Sequence, residues 1–245
     1  MNQTSDYELT VVIPVYNEQE SLQDLFNALS SYKQKSSVKV CFLFVNDGSS
    51  DNSFNLIKQF CLSTTDFYYI SLEKRSGLTG ALKAGFSVVK SDWVGYMDAD
   101  LQTFPDDFEL LLKNRYQGEL ICGIRTKRHD SFSKKIQSKL ANKIRNLVTH
   151  DGISDTNCPL KIGRTKLLNR LPLFTGMHRF LPALVKMTGN RVYTVPVRHQ
   201  ERKHGVSKFN LANRAFSGLA DLLAFVWMRS RYIEPSVAES DLKDR

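Results

Sequence analysis

The sequence predicts an α/β fold: a mainly parallel central sheet flanked by helices, with a C-terminal amphipathic helix. Three observations carry this. Short β-branched runs alternate with helix-period segments through the first half of the chain. Such alternation implies parallel strands joined by right-handed crossovers. Three polar residues, Asn17, Asp47 and Asp98, fall where predicted strands end. In open sheets of this kind ligands sit beyond the carboxyl ends of the strands.

The elements follow in order. LTVVIPV (9–15) reads as a buried strand. Asn17 is placed to cap the next helix, with Glu18 and Glu20 in its first turn, where they suit the helix dipole. That helix carries Leu22, Leu25, Phe26 and Leu29 on one face. A second strand spans 38–46, and Asp51 starts a helix bearing Phe54, Ile57 and Phe60. A strand at 67–72, a helix at 78–90 and a strand at 92–97 complete the regular half. In the second half, 119–124 and 191–199 read as strands, and 132–148 and 177–188 as helices. QERKHGVSK (200–208) is polar and reads as a loop. Beyond it Phe209, Ala212, Phe216, Leu219, Leu223 and Val226 recur at spacings of three and four, with Asn210, Arg214, Ser217 and Asp221 on another face. The expected division is a domain over 1–208 and a helix with its tail over 209–245.

Composition narrows the function classes. Hydrophobic residues make up 42% of the 245 and charged residues 24%, enough for a full core. The first residues show no basic region followed by an apolar stretch, so no secretory leader is expected. No apolar run reaches the ~18 residues of a membrane span. The four cysteines are scattered and read as buried thiols of a cytoplasmic protein. The histidines show no metal-binding spacing. Net charge is +9, and residues 119–145 hold eight Lys or Arg against two acids. Such a surface either attracts polyanions or is a solvated helix face. A nucleic-acid module would need aromatics interleaved with the basic residues, and the basic stretch offers only Phe132.

The chemistry gathers at strand ends. YMDADLQ places Asp98 and Asp100 two apart at the end of a strand, where an extended chain would point both the same way. Two such carboxylates repel unless a cation lies between them. A hard divalent cation with phosphate oxygens fits, and Gln102 can add a carbonyl oxygen. The other reading is that one aspartate caps the helix near Pro105. NDGSSD (46–51) makes a sharp turn after the second strand. Asp47 there either accepts hydrogen bonds from a nucleobase or ribose, or only forms the turn.

IPVYNE (13–18), NDGSSD (46–51), GLTGALKAGF (77–86) and DAD with Gln102 occur in the order and at the spacings of family 2 glycosyltransferases. The chain resembles that family over roughly residues 8–232, which implies the GT-A (nucleotide-diphospho-sugar transferase) fold. GIRTKR (123–128), MHRFLPAL (177–184), VPVRHQERKHGVSKFN (195–210) and the C-terminal run 213–232 resemble the dolichyl-phosphate-mannose synthase and undecaprenyl-phosphate glycosyltransferase branch. The resemblance implies an inverting transfer from a nucleotide-sugar donor (UDP- or GDP-sugar) to a polyprenyl phosphate, with a glycan or other soluble acceptor as the alternative. Pro14, Tyr16 and Glu18 would border the nucleotide and Asp47 would meet the base. Asp98 and Ala99 would line the donor site, and Asp100 and Gln102 would hold Mg2+ or Mn2+ on the diphosphate. Arg125 would contact phosphate or sugar. Arg202 and Lys208, six apart, would close over the leaving diphosphate, with Gly205 as hinge. Asp155 would orient the acceptor and Arg179 would bind its phosphate; the other readings are a turn residue and a surface ion pair.

Branch members often end in transmembrane helices, and none is expected in this chain. Trp227, Arg229 and Arg231 suit a helix lying on a membrane, and Lys134, Lys135, Lys139, Lys143 and Arg145 suit anionic lipid. The expected place is the cytoplasmic face of a membrane. The other reading is that the terminal helix packs onto the catalytic domain, and the two can coexist. The sequence leaves the sugar, the base and the oligomeric state open.

Overall fold

The structure, a computed structural model, describes residues 4–126, 142–201, 211–233 and 235, with side chains of the last helix described from residue 218 onward. Seven strands form one sheet: β1 (Leu9–Val15), β2 (Val40–Asn46), β3 (Phe67–Ser71), β4 (Trp93–Tyr96), β5 (Leu120–Arg125), β6 (Lys161–Arg164) and β7 (Val192–Val197). Their spatial order is β3-β2-β1-β4-β6-β5-β7. Strand β6 runs antiparallel to both its neighbours, and every other pairing is parallel. The sheet is therefore parallel except for one strand inserted beside β4. The helices are α1 (Leu22–Lys35), α2 (Ser53–Ser63), α3 (Gly77–Val88), α4 (Phe108–Lys113), α5 (142–149), α6 (Thr165–Arg170), α7 (Leu181–Met187) and α8 (Leu211–Arg231).

Side chains alternate across each strand, so the sheet has two apolar faces. Val11 and Ile13 meet α1, α2 and α4 through Leu25, Phe26, Ile57 and Phe108. Val12 and Val45 meet α3, α6, α7 and α8 through Leu82, Phe86, Leu168, Leu184 and Phe225. Gly85 lets α3 approach the sheet: a Cβ there would lie 2.5 Å from Val12 Cγ1.

Several expectations change. Asn17 does not cap α1, which begins at Leu22 with Ser21 at its N-cap position. Asn17 instead adopts φ +53, and its side-chain oxygen accepts the N–H groups of Ser50 (2.8 Å) and Asp51 (3.4 Å). The short β6 and α6 lie in a stretch to which the sequence reading assigns no element. Residues 177–188 are a 3-10 turn, Met177–Phe180, that leads into α7. Arg145 does not face outward toward lipid. It is buried and donates to Asp151 Oδ1 at 3.3 Å, to Thr156 Oγ1 at 2.5 Å and to the Ile153 carbonyl.

Helix α8 is turned from the expected orientation. Leu222 and Phe225 are buried, and Phe225 stacks on Phe180 at 5.6 Å. Asp221, expected to be solvated, faces inward and pairs with Arg179 at 3.5 Å, against Gly176. Leu219, Leu223 and Trp227, spaced four apart, are 55%, 63% and 67% exposed. Of the expected apolar stripe, Leu219 and Leu223 face out and Val226 is half-buried. The packing reading holds for one face of α8, and the other face carries exposed apolar groups.

Candidate active site

The carboxyl ends of β1, β2 and β4 converge because these strands are hydrogen-bonded neighbours. Each is followed by a loop carrying one of the singled-out motifs. The loops after β1 and β2 are laced together. Glu18 N–H donates to Ser53 Oγ at 2.9 Å, Asn17 N–H to Ser49 Oγ at 3.1 Å and Gln19 N–H to Asp51 Oδ2 at 3.3 Å. Pro14, Tyr16 and Glu18 are half-buried along this seam.

Asp47 is buried at the end of β2. Its Oδ1 accepts the Ser76 N–H at 2.6 Å and its Oδ2 the Gly77 N–H at 2.8 Å. The carboxylate thus sits at the start of α3, where orphan N–H groups and the helix dipole favour it. It is more than a turn former, and part of its acceptor capacity is already used within the protein. Gly48, at φ +69, is required beside it: a Cβ would lie 2.8 Å from Arg75 N.

Arg75 was not foreseen. Its guanidinium lies 4.0 Å from the ring centroid of Tyr16. The cation thus lies over the ring face, and Arg75 is exposed at the mouth of the crevice. The only cue in the sequence is a basic pair, Lys74-Arg75, before a glycine-opened helix.

Asp98 and Asp100 lie past the end of β4 in a turn, not on an extended strand, so the alternation argument for their common direction does not apply. Asp100 Oδ1 accepts the Gln102 N–H at 3.1 Å. Asp100 and Ala99 are buried, and Asp98 is half-buried. Pro105, Asp106 and Asp107 form a short 3-10 turn leading into α4. Asp107 is bound by Arg198 at 2.6 Å. Beneath this turn Tyr96 is pushed up to about 12 by burial, with Asp98 adding to the effect against the opposing Lys161. The fully buried Lys161 ammonium donates to Tyr96 Oη at 3.2 Å, to Thr156 O at 3.1 Å and to the Cys158 carbonyl. It ties β4 to the segment that carries Asp155.

Arg125 and Asp155 are brought together. Arg125 Nε and Nη2 donate to Asp155 Oδ2 and Oδ1 at 2.7 and 2.8 Å, and the Arg125 N–H reaches Oδ2 at 3.3 Å. Asp155 is therefore neither a simple turn residue nor a carboxylate standing apart for the acceptor. Arg179 is engaged by Asp221, as the surface ion-pair reading expected, although the pair lies beneath α8. Next to Arg179, His178 Nδ1 lies 2.7 Å from Thr79 Oγ1 of α3. Arg202, Gly205 and Lys208 lie outside the described residues, as do Lys134, Lys135 and Lys139.

Among the described residues no group of three or more His, Cys, Asp or Glu side chains forms a closed metal site. The donors offered after β4, two carboxylates and an amide oxygen, are of the chemical type that a hard cation takes alongside water and diphosphate oxygens.

The family model for glycosyl transferase family 2 matches residues 10–172. Among solved structures, the chain is similar to glucosyl-3-phosphoglycerate synthase from Mycobacterium tuberculosis in complex with Mn2+, UDP and glucosyl-3-phosphoglycerate. Identity is 14% and the TM-score 0.67, over 95% of this chain and 83% of that one. It is also similar to mannosyl-3-phosphoglycerate synthase from Rubrobacter xylanophilus (13% identity, TM-score 0.68, 97% and 79% covered). A third similar structure is S. aureus TarS 1–349 (13%, TM-score 0.59, 91% and 65%). At these identities the likeness speaks for the fold, and the two synthases lie outside the polyprenyl-phosphate branch that the second-half motifs resemble. The matched family model spans the strand-end loops described above, so the chain belongs to glycosyl transferase family 2 and is a glycosyltransferase.

Proposed function

We propose that the chain is a divalent-metal-dependent, inverting transferase that moves a sugar from a nucleotide-sugar donor to a phosphate-bearing acceptor. The convergence of the β1, β2 and β4 loops on one crevice supports this reading. Tyr16, Arg75 and Asp47 would receive the nucleoside, and Asp98 and Ala99 the sugar. Asp100 and Gln102 would hold Mg2+ or Mn2+, which would draw negative charge from the departing diphosphate. In the transfer, an acceptor oxygen, either an anionic phosphate oxygen or a hydroxyl that gives its proton to solvent, forms a bond to the anomeric carbon as the bond to the diphosphate oxygen breaks. The electron pair leaves with the nucleoside diphosphate. Arg125 lies on the strand end nearest Asp155 and would steady the acceptor side of the exchange. Arg202 and Lys208 keep the role that the family motif implies for them.

Two sources of acceptor phosphate are to be distinguished. A soluble phosphorylated molecule is favoured by the neighbours, one of which holds UDP-glucose and phosphoglyceric acid with Mn2+. Among the described residues no helix is long and apolar enough to cross a membrane. A polyprenyl phosphate, with the enzyme peripheral on a membrane, is favoured by the exposed Leu219–Leu223–Trp227 ridge. Arg229 and Arg231 follow that ridge, and Ile144 and Leu147 are exposed on the neighbouring α5. Anionic headgroups complement these arginines.

The deciding experiment offers labelled UDP- and GDP-sugars with Mn2+ to the purified enzyme, with 3-phosphoglycerate in one arm and a polyprenyl phosphate in another. Label should pass to a phosphorylated acceptor and stop on chelation. Transfer only to an unphosphorylated glycan or protein would overturn the reading.

A further inference from the structure

Leu101 separates Asp100 from Gln102 and holds φ at +55, in the left-handed region that branched side chains avoid. Such a conformation persists where its surroundings hold it. Here the hold comes from one residue far along the chain. Gln200 Nε2 donates to the Leu101 carbonyl at 2.6 Å, and its backbone N–H donates to the Gln102 carbonyl at 3.0 Å. The same turn is closed from within by Asp100 Oδ1, which accepts the Gln102 N–H.

Gln200 is itself anchored. Two residues earlier, Arg198 gives its N–H to Asp107 Oδ2 at 2.7 Å and its Nε–H to Asp107 Oδ1 at 2.7 Å. The Arg198 guanidinium also lies 4.5 Å from the centroid of Phe104. Residues 198–200 therefore grip the segment 101–107 at both ends. A cleft of about 320 Å³, lined by Asp24, Leu101, Phe104 and Gln200, lies beside this contact, so the grip is made by a few directed bonds and not by continuous packing.

We propose that Gln200 is a positioning residue for the metal turn. Its side-chain amide fixes the Leu101 carbonyl, and the fixed peptide aims the Asp100 carboxylate and the Gln102 side chain toward the cation. The inference rests on the reading of Asp100 and Gln102 as the metal-holding pair. Partners that orient ligands in this way commonly contribute 10- to 100-fold in metal affinity. Gln200 is half-buried at the edge of the sheet, so its replacement spares the core.

The test is Mn2+ binding by the full chain, followed by the electron paramagnetic resonance signal of free Mn2+. It is run with UDP or GDP, whichever the wild type binds more tightly. Q200E keeps the shape and removes the N–H donor; Q200A removes the whole contact. Both should weaken Mn2+ binding by about tenfold. Their melting temperatures should stay within about 4 °C of wild type, and saturating Mn2+ should restore kcat. Unchanged Mn2+ affinity in both folded variants, with affinity lost in D100A, would overturn the role of Gln200 alone. Unchanged affinity in D100A itself would overturn the metal-site reading beneath it.

Discussion

Arg125 and Asp155 hold each other through two parallel hydrogen bonds, with only 12% and 7% of their side chains exposed. The pair joins the end of β5 to the segment leading into β6. Removing one partner from such a pair strands the other charge in a poorly hydrated place. Arg125→Ala and Asp155→Ala should each cost about 3 kcal/mol of stability. The double variant should cost clearly less than the sum. Urea unfolding of the four proteins checks this, and additive losses would show that the two side chains do not act as a unit.

Asp47 predicts a linked pair of effects. Its two oxygens satisfy the N–H groups of Ser76 and Gly77 at the start of α3. Asp47→Ala should lower stability by about 1–2 kcal/mol through the lost cap. It should also raise the KM for the nucleotide sugar, because α3 and the loop bearing Arg75 border the same crevice. Thermal melts and donor titrations measure the two effects separately.

Arg75 should matter to donor binding more than to folding. It is exposed and stacks on Tyr16. Arg75→Ala should leave the melting temperature within about 2 °C and weaken nucleotide diphosphate binding by roughly tenfold. Titration calorimetry with UDP and GDP would show it. Arg75→Lys, which keeps the charge but lacks the planar fork, should recover only part of the loss.

His178 makes stability depend on pH. Burial holds its folded value down to about 3, with help from the cations Arg179 and Lys161. The unfolded chain binds its proton below the ordinary histidine value near 6.5. The unfolded state therefore carries the extra proton between about pH 6.5 and 3, and acidification through this window destabilises the fold. About 1–2 kcal/mol should be lost between pH 6.5 and 5. His178→Gln should flatten that part of the profile, as read by urea midpoints at each pH.

The α8 ridge separates membrane attachment from catalysis. Leu223 and Trp227 are exposed, whereas Leu222 and Phe225 hold the helix to the domain. Leu223→Glu with Trp227→Glu should abolish sedimentation with vesicles rich in anionic lipid. The melting temperature should stay near wild type. Equal sedimentation of the double variant would remove the ridge from the lipid-facing role.

Much of the regular half was legible because its physics is local. Strand β1 was read with the bounds it has in the structure, and β2 and α3 differ only at their ends. Their apolar periods and flanking polar residues are contiguous in sequence. Strand β6 was not legible: it is four residues long and contains a lysine, Lys161, whose burial depends on acceptors from Tyr96, Thr156 and Cys158. The face of α8 was misjudged because its docking is set by Phe180, Arg179 and Gly176, none of them near in sequence. At the site, the motif residues Asp47, Asp98 and Asp100 were named from their spacing. The pairings of Arg125 with Asp155, Arg75 with Tyr16 and Gln200 with Leu101 span 30 residues or more. No local pattern records them.

On the proposed function, the turn after β4 supports sugar transfer from a nucleoside diphosphate sugar with a divalent cation. The most direct test is acceptor-dependent release of nucleoside diphosphate, measured for wild type and Asp100→Ala across Mn2+ concentrations. Release should rise with Mn2+, stop on chelation and fall by at least about 100-fold in the variant. Release that persists in folded Asp100→Ala, at the same rate and with no dependence on added metal, would contradict it.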